Sequence, residues 1–490
     1  MTELKNSVNN MDTVTRTIVE LIDSTDVTNR QDLIDVAQLA FLDYIASLGA
    51  AEHYPAVKAL AGFVSASSPS HAVDVELIER VGIYAEHTAV HISRPDKALY
   101  YGFASHYLDF DDAQANLAGH FSTVLYSALL AVLEPTDTWM DFFRAYIVGA
   151  ELEGIIGSII NPSHRTQGWH STGTVGVIGA AAAVGVLRGV HGESLASLLS
   201  LAATQSCGMS FQSGSDGKPL HAGLAARNAV WTYELVTKTS LQGSLRPFNS
   251  ETGWFHIIAD VAVTAGAFTT QWLQPGQILE PGLWMKLHPY CSAAICGAEG
   301  AEILAHRLHT SIKHGHDLTD DASMDTKDWA FQNLWPFIES VTVHFPSGAD
   351  KALKYTLPTT GREGQFSIEF VVWQILQYGS VQDDLFFAPT VPIEATQYMP
   401  RIARVYDLDP VSQAQRITKL TIHMTDGDIH EMVVTNPKGS PLQPLTLQDI
   451  SKKLALSIDA ARVESVVETF RNETIHTFIN TLKGEGVLHV

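Results

Sequence analysis

TGTVGVIGAAAAVGVLRGV (residues 172–190) and SLASLLSLAATQSCGMS (194–210) decide the fold class. Each is apolar nearly all round, which a surface helix is not, and rich in the small residues that let neighbouring helices approach closely. Both are expected to be buried central helices. Around them, VTRTIVELIDST, DLIDVAQLAFLDYIASLGA and WMDFFRAYIVGAELEGIIGSII repeat apolar residues at three- and four-residue intervals, the period of an amphipathic helix. Residues 1–270 therefore read as a helical domain.

Beyond this point β-like stretches enter. SVTVHF (340–345), ITKLTIHM (417–424) and HEMVVT (430–435) read as strands, and Thr425-Asp426-Gly427-Asp428 joins the last two as a hairpin turn. QFSIEFVVWQILQYGS (365–380) has helical period, so residues 271–445 form a smaller α+β domain. TLQDISKKLALSI and DAARVESVVETFRNETIHTFINTLKG return to amphipathic helix over 446–490, with Thr446 and Asp459 as N-caps, and are expected to pack back on the body. The expected class is mainly α, a large all-helical domain with a smaller α+β partner.

The length of 490 residues exceeds what one core usually organises, which supports more than one domain. Only 17% of residues are charged, which points to surface buried in a subunit interface. A net charge of −22 argues against nucleic acid, whose phosphates need a concentrated basic face. The three cysteines cannot all pair, and C-x4-C at Cys291 and Cys296 lacks a matching second half for zinc. The N-terminus is polar, and apolar runs elsewhere break before about 18 residues, so a cytoplasmic protein without a membrane partner is expected.

Four segments could carry chemistry. ASHYLDFDDAQANLAGHFST (104–123) crowds Asp109, Asp111 and Asp112 ahead of His120. On a helix Asp109 and Asp112 would share a face, and crowded carboxylates raise each other's proton affinity; a plain helix end capped by aspartates fits the pattern as well. GWHSTGT (168–174) sets His170 at the mouth of the small-residue helix, either facing an anion or capping the helix. SGSDGKPLHAGLAARN (213–228) holds Lys218, His221 and Arg227 among Gly and Ala, where a loop could aim Lys218 at a carboxylate or leave it on the surface. PGLWMKLHPYC (281–291) alternates Lys286 and His288 on one face of an extended strand, in a site or towards solvent.

Together the segments supply acids, imidazoles and ammonium groups, with no nucleophile elbow, phosphate loop or metal-ligand spacing. GAAAAVGVLRG lacks the G-x-G-x-x-G of a dinucleotide site, and HISRPDK does not form H-E-x-x-H. The set suits removing a proton next to a carboxylate and donating one elsewhere.

These motifs, in this order, resemble the MmgE/PrpD family, which includes 2-methylcitrate dehydratase, cis-aconitate decarboxylase and iminodisuccinate epimerase. The resemblance runs from FLDYIASLGA (41–50) through SHYLDFDD, GWHSTGT, the K-P-L-H-A-G-x-A-A-R-N run at 218–228, MKLHPYC and QFSIEFVVWQILQYGS to HMTDGDIHEMVV with its trailing NPKGSPLQPLT. It implies an α+β lid on the helical domain, a homodimer, and no metal or organic cofactor. It also places Asp109, His120, His170, Lys218 and Lys286 at the active site. Asp109 and His120 would be the acid/base pair, His170 a second proton-transfer or carboxylate-binding group, and the two lysines carboxylate clamps; His221, Arg227 and His288 are expected to bind substrate.

Three departures leave the reaction open. Ala113 stands where many relatives have Thr, Phe121 where they have Pro, and the segment after Cys291 lacks a His that many carry. A lyase acting on a small anionic polycarboxylate is the leading expectation, by dehydration of a citrate-like acid or decarboxylation of an unsaturated tricarboxylate, with dehydration the leading version. The alternatives are a dicarboxylate epimerase and a non-catalytic binding relative.

Overall fold

The computed structural model describes residues 11–66, 92–249, 251–314, 331–411 and 415–488. The first ten residues and His91 of HISRPDK lie outside them. The chain divides into two compact units, one of Met1–Gln212, Asp216–Leu283 and Thr446–Val490, the other of Ser213–Ser215 and Trp284–Leu445.

The first unit is helical. Its main elements are α1 (Thr13–Ser24), α2 (Gln31–Ala51), α3 (Pro55–Ala66), α4 (Arg94–Tyr107), α5 (Ser122–Val132), α6 (Trp139–Ile160), α7 (Gly176–Leu187), α8 (Gly192–Ala203) and α9 (Gly217–Lys238). As the opening stretch implies, α7 is buried along nearly its whole length and packs against α6 and α9. The helix expected from residue 172 is split, because Ser171–Thr174 forms its own turn before α7 begins. The second predicted helix stops at Ala203, well short of Gly208, whose φ of +127° no helix can contain. Helix α2 is long and apolar enough to span a membrane by length and composition, yet most of its apolar window is buried inside this unit.

Aromatic packing closes the first unit. Phe41 of α2 lies 4.9 Å from Tyr126, 5.8 Å from Trp139 and 5.2 Å from Phe142 between ring centroids. It also meets Phe470 and Phe478, at 6.2 and 6.0 Å, from the C-terminal helices. Thr446 caps the helix Leu447–Leu454 by a reciprocal hydrogen-bonded box with Asp449, and Asp459 caps Ala460–Asn472, the helix that carries Phe470.

The second unit is α+β. Its sheet orders β1 (Ile338–Pro346), β2 (Ile402–Leu408), β3 (Thr418–Met424) and β4 (Ile429–Val434) as β2-β1-β3-β4, with β1–β2 parallel and the other pairs antiparallel. The parallel pair requires a crossover, which carries α10 (Ile368–Tyr378). The hairpin formed by β3 and β4 matches the sequence, with Gly427 at φ +99° in its turn. Strand β2 was not expected from the sequence. Its Arg404 reaches Glu369 of α10 at 2.6 Å and Asp350 at 3.0 Å, which ties the edge strand to the crossover helix.

Candidate active site

The site is built where helices α4 and α9 cross. A Cβ at Gly102 would stand 2.8 Å from the Gly223 Cα, so only glycine at this contact permits the approach. The crossing brings the C-terminal end of α4, with His106, beside the N-terminal end of α9, with Lys218. Helix α4 ends at Tyr107, and Asp109 then takes a left-handed conformation at φ +52°. Asp109, Asp111 and Asp112 thus lie on a loop, and the helical face expected for Asp109 and Asp112 does not form. The left-handed residue turns the chain so that three successive buried carboxyl groups point in different directions.

Asp109 accepts a hydrogen bond from the Lys218 ammonium at 2.8 Å, and His120 Nε2 lies 3.7 Å from the same oxygen. Asp111 sits between two imidazoles, 2.9 Å from His106 Nδ1 and 3.1 Å from His120 Nδ1. Burial opposes its charge, yet the flanking His106 and His120 hold its pKa well below the ordinary carboxylate value. Burial pushes His106 down to about 3, against the pull of Asp111, so its ring is neutral. Asp112 accepts from the Ser122 hydroxyl, which also meets the Tyr146 hydroxyl at 2.9 Å. Burial, with help from Asp43 and Asp111, raises Asp112 to about 7.

His170 precedes the Ser171–Thr174 turn without a side-chain capping bond, and its Nδ1 meets His221 Nδ1 at 3.1 Å. One ring must donate and the other accept. Desolvation, followed by the Lys218 charge, holds both rings below the ordinary imidazole pKa. Lys218 stands in the first turn of α9, where a loop was expected, because Pro219 is tolerated at a position whose N–H has no helical acceptor.

Asp109, His120, Lys218, His170 and His221 therefore come together in the first unit. Arg227 does not join them. Its guanidinium faces Asp96 at 3.7 Å, in the first turn of α4 and roughly 15 Å of helical rise from His106. Lys286 and His288 belong to the second unit, where they line one cavity with Tyr290, Glu302 and Lys438. The extended strand expected to carry them ends at Trp284, and a bend follows. Burial works against the charge of His288, but its 2.8 Å bond to Asp383 raises its pKa.

Sequence reading missed His106 and misjudged Asp111. The available signal was a histidine five residues before Asp111 at the end of an apolar helix. Ala113 and Phe121, two departures from the family pattern, are buried beside these groups in sequence, and Cys291 is buried in the second unit. The three cysteines are free.

Donor atoms of His106, Asp109, Asp111 and His120 lie within 4.8 Å of one another, a set with metal-ligand chemistry. The fit to a metal is poor, because both Nδ1 atoms are engaged with Asp111 and the Lys218 ammonium already neutralises Asp109. The arrangement can instead hold a carboxylate by an ammonium and move a proton at an imidazole nitrogen beside it.

Residues 16–264 match the MmgE/PrpD N-terminal domain, just over half of the chain. Among curated proteins, cis-aconitate decarboxylase of Aspergillus terreus is 33% identical over 130 residues, covering 25% of this chain and 26% of that protein. The cis-aconitate decarboxylase-like protein oryM of Aspergillus oryzae is 23% identical over 382 residues, 73% of this chain and 75% of its own. Human cis-aconitate decarboxylase is 26% identical over 159 residues, 31% of this chain and 33% of its own. The matched stretch thus spans about a quarter of the first relative and a third of the human one. Decarboxylases are lyases, so the link to lyase chemistry holds at the level of the family. The chain belongs to the MmgE/PrpD family.

Proposed function

We propose that this chain is a cofactor-independent lyase that acts on a small polycarboxylate, with decarboxylation of an unsaturated tricarboxylate as the leading reaction and dehydration of a citrate-like acid as the second. The observation that carries the proposal is the sharing of one Asp109 oxygen, with Lys218 Nζ at 2.8 Å and His120 Nε2 at 3.7 Å. Lys218 holds a substrate carboxylate, and His120 exchanges a proton with the neighbouring carbon. A substrate carboxylate at the same ammonium crowds Asp109 and favours its protonation, which makes Asp109 the second acid. His170 completes the substrate contacts within the first unit in this reading. The low charge content supports a homodimer.

The two reactions use His120 in opposite ways. In decarboxylation the C–CO2 bond breaks, its electron pair enters the unsaturated system, and imidazolium delivers one proton to carbon. In dehydration neutral imidazole removes a proton from carbon while an acid protonates the departing hydroxide. Activity limited by His120 should fall with rising pH in the first case and rise in the second. The names of the relatives favour decarboxylation.

A panel of di- and tricarboxylic acids, cis-aconitate among them, followed by NMR with purified protein tests the proposal. Loss of carbon dioxide or water from one acid supports it. Epimerisation with nothing lost would replace the lyase by the epimerase, and no turnover or binding across the panel would favour a non-catalytic relative.

A further inference from the structure

The proton-transfer nitrogen of His120 is defined by what surrounds the other one. Nδ1 faces the Asp112 carbonyl at 2.5 Å and the Asp111 carboxylate at 3.1 Å. Both neighbours only accept, so Nδ1 carries the hydrogen and Nε2 carries the lone pair in the neutral ring. Nε2 is also the atom beside Asp109 and Lys218.

Asp111 is itself held in place. Both of its oxygens lie 2.9 Å from His106 Nδ1. His106 is fully buried, and its Nε2 has no partner among the described residues. A neutral ring facing a carboxylate donates through that nitrogen, so the hydrogen of His106 sits on Nδ1. The His106 and His120 rings are 4.4 Å apart, edge to face. His106 in turn rides on α4, whose position is set by the Gly102–Gly223 crossing.

From this geometry we infer that Asp111, braced by His106, fixes the tautomer of His120 and aims its Nε2 at the reacting carbon. Asp111 is completely buried, whereas His120 retains a little exposure, so Asp111 acts through His120 and is a positioning residue. The inference rests on the use of His120 proposed above. The other groups around His120 are Asp109, His106, Lys218 and His170, while the Asp112 carboxyl is turned to Ser122.

Three variants separate positioning from a packing role. Asp111→Asn removes the charge, and is expected to lower kcat roughly 100-fold or more while KM stays within about threefold. His106→Leu should give a smaller loss of the same kind, and His106→Asn, whose amide nitrogen replaces Nδ1, should restore most of it.

A readout without substrate is long-range proton–nitrogen NMR of protein labelled with nitrogen-15 histidine. Neutral His120 should carry its hydrogen on Nδ1 in the wild type and lose that preference in Asp111→Asn. Folded Asp111→Asn and His106→Leu with unchanged kcat, or a wild-type His120 protonated on Nε2, would overturn the inference. If Asp111→Asn does not fold, the His106 pair and the wild-type spectrum decide. His120→Gln is the control on the proposed function, because full activity in that variant defeats the use of His120 while the tautomer measurement stands by itself.

Discussion

Lys218 Nζ and the Asp109 carboxylate are joined at 2.8 Å although 109 residues separate them in the chain. Both side chains are almost wholly buried, so the pair is largely shielded from solvent. Lys218→Met is expected to reduce kcat/KM about 100- to 1000-fold, roughly 3 to 4 kcal/mol of transition-state stabilisation. Steady-state kinetics on the substrate found in the panel measure it. A loss under about threefold would remove Lys218 from the carboxylate clamp.

The loop that carries the aspartates is anchored from the C-terminal region. Lys453 donates to Asp43 at 2.7 Å and to the Phe110 carbonyl at 2.6 Å, and its ammonium lies 3.7 Å from the centre of the Phe110 ring. Phe110 sits between Asp109 and Asp111 in the chain. Lys453→Met should cost about 3 to 5 kcal/mol by stranding Asp43 in the core, and Asp43→Asn in the same chain should recover part of it. Urea unfolding followed by circular dichroism gives both values.

Asp112 makes stability depend on pH. Its pKa rises from 3.8 to about 7 through burial, so the folded state favours the protonated form. The stabilisation is complete below about pH 4 and is lost as pH rises through about 7, at most on the order of 1.4 kcal/mol per pH unit. Asp112→Asn stays neutral and should flatten this part of the curve. Denaturant titrations across that window, wild type against variant, show it; parallel curves would mean that Asp112 is ionised in the fold.

Glu153 lies on α6 with both carboxyl oxygens buried and without a hydrogen-bond partner among the described residues. Burial, with Asp112 adding to it, raises its pKa well above the ordinary value, so it is protonated in the folded chain. Glu153→Met, unbranched and of similar length, should be neutral or raise stability by up to about 1 to 3 kcal/mol. Calorimetry measures the shift. Marked destabilisation would show that the carboxyl group binds a buried water.

The fold was readable where local chemistry agrees with tertiary context. Period-two strands around Asp426-Gly427, the caps at Thr446 and Asp459, and the small-residue α7 all followed from spacing and residue type. Strand β2 was not readable, because Arg404 and Asp407 interrupt its apolar pattern and most of it is exposed, held as an edge strand by the pairing of Arg404 with Glu369 and Asp350. In the site, single residues were legible but their pairing was not. Nothing near Asp109 announces its left-handed backbone, and nothing near Lys218 announces that Pro219 belongs to a helix. The partnership of His106, Asp111 and His120 depends on a helix ending at Tyr107, where the apolar pattern alone would have carried it further. The order of motifs along the chain, which resembles the MmgE/PrpD family, supplied what local pattern could not.

Proton transfer by His120 is the centre of the account. Its most direct test is turnover of the identified polycarboxylate in D2O, with NMR locating the deuterium in the product, for the wild type and for His120→Gln. One deuterium at the carbon next to the retained carboxylate with loss of carbon dioxide, together with loss of that incorporation in His120→Gln, is the expected result for decarboxylation. Incorporation at the wild-type rate in folded His120→Gln would contradict it.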